Sequence, residues 1–399
     1  MLLVNPQTAF QWTEPLDING IQMMGIREKQ GHSFSRAGHL AAKQSSELDA
    51  DEVGRTHRQQ LRPYSQSTLL EARREYEKRT VPTFPRYFII EPTNVCNKVC
   101  PFCTITVMER VDSEGKIVKG FMKWDTFMRL MRETGQYLVY GISLYQLGES
   151  FLWHGKDETG KKLNIADMVN AAKRVGGFRA VNLSTNGDVG NLACVLGSEL
   201  DDLIISIDGM TKEVYEVNRP GVSHLETFER TLDRVHEFLR TKETNGISEP
   251  FVRLQIINKD NTCDQIVDFI RYWIEVPGVD DIFVKDLDSM RSWLGNRVVS
   301  DEEDRIKAER VETMPCQHLF AIGSMVVNGD LNGCCHDAHT QLVQKIQLPD
   351  GRVVNANIHN TTFAEWWNGV FMTQLRSEHE HGYFRMPCRD CRERDPWLG

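Results

Sequence analysis

The chain has 399 residues, 40% hydrophobic and 26% charged, with a formal net charge of −9. That length gives room for one large domain and a smaller one. The acidic balance excludes a protein that grips phosphate backbones over a broad surface, and no apolar run reaches the roughly 20 residues a membrane span needs. The opening residues, MLLVNPQTAFQW, carry neither a basic region nor a long apolar core. A cytoplasmic protein without a secretory signal is therefore expected. In that reducing setting the ten cysteines, three between 96 and 103 and five in the last 84 residues, point to metal ligation rather than disulfides.

Residues 1–80 read as a polar extension with no strong alternation and no winged-helix pattern. Its last part, 67–79, is rich in Leu, Glu, Ala and Arg and predicts a helix. From about 82 to 286 the pattern becomes strand then helix, repeated. Strands are predicted over 87–90, 140–147, 180–184, 203–207, 251–257 and 281–285. Apolar stripes predict helices between them: Ile165, Met168, Val169 and Ala172; Leu225, Phe228, Leu232, Val235 and Leu239; Ile266, Phe269, Ile270 and Trp273. Six such units predict an α/β fold, a barrel or partial barrel over 81–300, with the loops after the strands sharing one rim. The remainder, 301–399, reads as a small, separate, cysteine-rich α+β domain. It has turn signals at Asn328-Gly329, Asn332-Gly333 and Asp350-Gly351, a helix over 362–376, and a closing Cys388-Arg-Asp-Cys391.

The first strand empties into a polar turn, YFIIEPTNVCNKVCPFCT, spaced C-x3-C-x2-C. Three thiolates on one loop can hold three corners of a metal site and leave a fourth open. Structural zinc normally takes four ligands in C-x2-C pairs, whereas this spacing suits a [4Fe–4S] cluster with one open iron.

With that loop, the sequence resembles the radical S-adenosylmethionine (SAM) enzymes. The resemblance implies a partial (β/α)6 barrel, in which Cys96, Cys100 and Cys103 hold a catalytic [4Fe–4S] cluster and Phe102 packs against the adenine of SAM. It further implies that Leu147-Gly148-Glu149 meets the SAM amino group through Gly148 and Glu149. Leu147 stands where many relatives have a first glycine. Ser184-Thr185-Asn186-Gly187 and Ser206-Ile207-Asp208-Gly209 resemble the stretches that hold the rest of SAM, which makes Ser184, Asn186 and Asp208 candidates. The C-terminal frame resembles the SPASM/twitch extension and implies one auxiliary [4Fe–4S] cluster on Cys316, Cys334, Cys388 and Cys391, with Cys335 spare or exchanged with Cys334. Zinc is the alternative there. Cys194 and Cys263 are expected in the core, the histidines 336, 339, 379 and 381 outside the ligand set, and Trp366 and Trp367 in packing.

The expected activity is hydrogen-atom abstraction with redox modification, foremost dehydrogenation, of a small polar substrate such as a sugar or aminocyclitol. A flavodoxin- or ferredoxin-type electron donor is expected, and neither nucleic acid nor membrane as partner. A maturase acting on a ribosomally made peptide and a non-catalytic iron–sulfur protein are the alternatives.

Overall fold

The computed structural model describes residues 81–107, 109–112, 114–225, 227–286, 315–316 and 318–391, with the backbone of short strands at Gln11–Trp12, Leu16–Ile18, Ile21–Met23, Ile26–Glu28 and Gly31–Ser35. The last of these is β1. The helix expected over 67–79 and the charged stretch 300–312 lie outside the described residues.

Six strands follow: β2 (Tyr87–Ile90), β3 (Gly141–Ser143), β4 (Ala180–Thr185), β5 (Asp202–Ser206), β6 (Phe251–Asn258) and β7 (Asp281–Asp286). They pair in chain order and all in parallel. Sequential pairing with right-handed crossovers puts every helix on one face, so the sheet curls as a partial (β/α)6 barrel with its helices outside. Among the described residues the curl does not close on itself. Outside β2 lies β8 (Ile322–Met325), paired in parallel from Ile322 on Tyr87 to Met325 on Ile90. Outside β7 lies β1, antiparallel, from Ser35 on Asp281 to Gly31 on Lys285.

The helices α1 (Trp124–Thr134), α2 (Ile165–Arg174), α3 (Lys212–Asn218), α4 (Phe228–Thr244) and α5 (Ile266–Trp273) fill four of the five crossovers, and a short 3-10 turn at Leu192–Val195 lies between β4 and β5. Residues Ile165, Met168, Val169 and Ala172 of α2, and Ile266, Phe269, Ile270 and Trp273 of α5, are buried as their spacing predicts. A capping box between Asn164 and Asp167 starts α2. The predicted stripe of α4 begins one turn too early. The Thr227 side chain accepts the Arg230 N–H and sets the start at Phe228, leaving Leu225 exposed in the preceding turn.

Alternation along β6 sends Val252, Leu254 and Ile256 into the core and leaves Arg253 and Gln255 half-buried on the other face. Asn182 and Ser184 of β4 follow the same rule. The inner face of the curl is thus polar.

Past residue 315, β8 turns through Asn328-Gly329, with Gly329 at φ +89°, into β9 (Leu331–Asn332). A second hairpin, Lys345–Gln347 with Val353–Asn355, spans the turn at Gly351. The single helix expected near 362–376 is two, α6 (Phe363–Trp367) and α7 (Val370–Glu380), broken at Asn368-Gly369. Trp366 and Trp367 are both buried packing groups. One strand of this segment, β8, lies in the barrel sheet. No helix among the described residues is long and apolar enough to cross a membrane.

Candidate active site

Beyond β2 the chain is clamped before it reaches the cysteines. The Thr93 hydroxyl donates to the Gly120 carbonyl at 2.6 Å, and the Asn94 side chain accepts the Gly120 N–H at 2.8 Å and donates to the Val118 carbonyl at 2.7 Å. Cys100 is buried, and Cys96 and Cys103 are half-buried. Burial, followed by the Glu149 carboxylate, pushes the Cys96 thiol up to about 12. Burial also lifts Cys100 to about 11 and raises Cys103. Neighbouring thiols add to the rise at Cys96 and Cys100. Left alone, such thiols keep their protons, and a cationic cluster is what makes them thiolates. The donor set fits one.

Behind the loop is a charge network that its spacing did not reveal. Lys98 Nζ lies 2.9 Å from Asp188 Oδ2 with both side chains fully buried, and over the Tyr215 ring at 5.3 Å. Asp188 also receives Arg230 at 3.0 Å and Arg234 at 2.7 Å from α4. The loop is laced to the Arg219-Pro220-Gly221 segment as well: Val99 N–H donates to the Pro220 carbonyl and Val222 N–H to the Asn97 carbonyl, each at 2.9 Å.

Glu149, after β3, is buried and points toward these thiols. It accepts the Thr185 hydroxyl at 2.9 Å, the Asn186 N–H at 2.7 Å and the Phe151 N–H at 3.2 Å. Burial raises its pKa and these hydrogen bonds oppose the rise. Gly148 sits at φ +77° against the backbone of 93–95, and the Glu149 N–H donates to the Val95 carbonyl at 2.9 Å. Asn186 Nδ2 donates to Asn97 Oδ1 at 2.8 Å and lies 3.8 Å from Cys96 Sγ. Cys96, Glu149 and Asn186 are therefore brought together.

The other candidates are placed differently. Ser184 stands half-buried on the inner face, and its neighbour Thr185 makes the bond to Glu149. The oxygens of Asp208 are committed to Arg219 Nε at 2.7 Å and the Ile257 N–H at 2.9 Å, so Asp208 positions Arg219. Burial opposes the charge on Arg219, yet Asp208 and then Cys100 hold its pKa above the usual arginine value. Phe102 packs with Cys100 and Ile257, and Lys259 Nζ lies 5.2 Å from its ring centre.

The C-terminal cysteine loop sits against the same mouth. Gln146 donates to the Cys335 carbonyl at 2.6 Å. Arg110 donates to the Ala338 carbonyl at 3.1 and 3.2 Å and to Glu91 Oε2 at 2.5 Å, and that oxygen also takes the Val327 N–H at 3.0 Å. Glu91 and Arg110 are both buried. Cys316 and Cys388 are buried, Cys334 and Cys391 half-buried, and the Cys316 N–H donates to His379 Nδ1 at 3.3 Å. The side chains gathered around Cys334 are Cys335 and His318. His318 escaped the sequence reading, although the Cys316-x-His318 spacing was there to be seen. A shallow hollow over Asn368, Val370 and Tyr383 lies along α7 and is lined by none of these groups.

No family model matches the chain, and no curated protein matches it. Among solved structures it is similar to Streptococcus suis SuiB bound to precursor peptide SuiA, at TM-score 0.49 and 12% identity over 98% of this chain and 94% of that one. It is also similar to anSMEcpe with bound AdoMet, at 0.47 and 14% over 74% and 84%. A third is BtrN in complex with AdoMet and 2-DOIA, at 0.44 and 14% over 75% and 88%. At these values the likeness carries no chemistry. The residues must do so.

Proposed function

We propose that the protein is a radical SAM enzyme. The observation that carries this is the pairing of a three-thiol loop with a buried, multiply hydrogen-bonded carboxylate, Glu149, beside Cys96. Cys96, Cys100 and Cys103 would hold a [4Fe–4S] cluster by three corners. Bound there with SAM and given one electron, such a cluster would supply a 5′-deoxyadenosyl radical, with methionine released, to take a hydrogen atom from the substrate. Glu149 would receive the SAM ammonium in a low-dielectric setting, where a charge-assisted hydrogen bond is strong. Asn186 orients beside it, and Gly148 lets the two loops touch. Arg219, held by Asp208, faces Cys100 and stabilises its thiolate.

The half-buried inner face, with Tyr145, Asn182, Ser184, Arg253 and Gln255, suits a small polar substrate. With a second metal centre in the C-terminal cysteine segment available as an electron sink, we favour redox modification, foremost dehydrogenation of a sugar or aminocyclitol. A flavodoxin- or ferredoxin-type protein would supply electrons. The test is anaerobic reconstitution, iron analysis with about eight irons per chain expected for two cubane clusters, and a SAM-cleavage screen against sugars, aminocyclitols and peptides. Formation of 5′-deoxyadenosine with an oxidised sugar supports the reading. If none forms with any substrate, while the iron is loaded, the enzyme reading is wrong.

A further inference from the structure

Cys334 and Cys335 follow β9, and His318 opens the short helical turn that leads into β8. Their two sulfurs and one imidazole nitrogen all lie within 4.8 Å of one another. The Cys335 Sγ to His318 Nδ1 distance is 3.4 Å. Among the described residues no other three ligand groups gather this closely, the thiols at 96, 100 and 103 included. Donors around a tetrahedral ion with metal–sulfur bonds of about 2.3 Å stand roughly 3.7 Å apart. The trio has that scale.

The bland alternative is a thiol–imidazole hydrogen bond in a packed interior. One further observation weighs against it. The His336 N–H donates to Cys334 Sγ at 3.3 Å, a bond that favours the thiolate form. Two adjacent thiols with an imidazole at ligand distance form a set that a cation relieves and that simple packing does not require.

We propose that His318, together with Cys334 and Cys335, ligates the metal centre of the C-terminal segment, which is therefore of mixed thiolate–imidazole type rather than all-cysteine. The proposal rests on the functional reading only in taking a second metal centre to be present; it does not depend on SAM cleavage. Donors this close suit a single zinc-type cation, or His318 with one of the two thiols on one iron of an iron–sulfur centre. In an iron–sulfur centre, a neutral imidazole in place of a thiolate removes negative charge and raises the reduction potential. That direction makes the centre a better electron acceptor.

The test uses the full chain, purified anaerobically from cells fed 15N-histidine or unlabelled histidine. In the reduced protein, pulsed EPR is expected to show a nitrogen coupled to the second centre that changes with the label. If the centre is zinc, X-ray absorption at the zinc edge reads the same nitrogen. His318→Ala is expected to lose the second centre's metal, about half the iron of a two-cluster protein or all of its zinc, while the iron on the Cys96 loop is kept. His318→Cys restores the metal and, for an iron–sulfur centre, lowers its potential. Full metal content in His318→Ala together with no coupled nitrogen in the unaltered protein overturns the proposal. Should His318→Ala fail to fold, the labelled unaltered protein still decides. Loss of SAM cleavage with the nitrogen signal intact would refute the functional reading and leave this one standing.

Discussion

Gly148 holds two loops of the candidate site together by having no side chain. A Cβ built on it lies 2.4 Å from the Thr93 carbonyl oxygen and 2.9 Å from both Asn94 Cα and the Val95 carbonyl oxygen. These are backbone atoms, clamped in turn by Thr93 and Asn94 to residues 118 and 120, so none can swing aside as a side-chain tip would. In Gly148→Ala the left-handed backbone costs about 1–2 kcal/mol and crowding about 1–3 kcal/mol more. Together that is about 2–5 kcal/mol, a large part of the 5–15 kcal/mol typical of a folded domain. The displaced backbone runs straight into Cys96, so cluster loading falls with stability. Gly160 is the internal control. It has φ +85° with nothing within 4 Å of the added Cβ, so Gly160→Ala should cost only the backbone share, about 1–2 kcal/mol, and keep its iron. Denaturant unfolding of both variants, with iron per chain and SAM affinity by calorimetry, makes the comparison. Equal losses in the two, with iron retained in both, would refute the close-approach argument.

Three more outcomes are expected. Asp188→Asn takes the carboxylate from buried Lys98 and should destabilise by about 3–5 kcal/mol; Lys98→Met, which leaves Asp188 its two arginines, should cost less, and thermal unfolding ranks them. Arg110→Met leaves buried Glu91 without its guanidinium and frees the Ala338 carbonyl. A loss of about 3–5 kcal/mol is expected, with faster hydrogen exchange over 334–338 by mass spectrometry. For Glu149, burial raises the folded-state pKa. As pH climbs from the ordinary glutamate value of about 4.3 through that raised value, its contribution to stability falls while its anionic form grows. SAM affinity should therefore rise with pH over that interval, and Glu149→Gln should flatten the profile in a calorimetric series.

The barrel was legible because each strand–helix unit announces itself locally. Tyr87–Ile90 matches its prediction outright, and β4 to β7 match within a residue or so. The strand predicted over 140–147 shrinks to Gly141–Ser143, because the chain leaves the ladder to reach the turn at Gly148. In the site, Cys96, Glu149 and Asn186 were readable from spacing and from their place after strands. Lys98, Asp188, Glu91 and Arg110 were not, since their partners lie 19 to 236 residues away, and no local pattern encodes a contact of that reach; His318 was marked only by its spacing from Cys316. Cys194 is half-buried against the core as expected. Cys263 is not a core residue: it opens a short turn near the surface, with its sulfur 3.2 Å from the Asp260 carbonyl. The apolar helix that follows it had suggested otherwise.

The two borrowed edges of the sheet have a consequence for modularity. β1 comes from far upstream of the barrel and β8 from beyond it, so residues 82–286 excised alone would bare both flanks as unpaired strands, a template for aggregation. The barrel is thus not a cassette that can be transplanted with its cysteine loop. Truncation at either flank should first appear as insolubility, and only afterwards as lost chemistry.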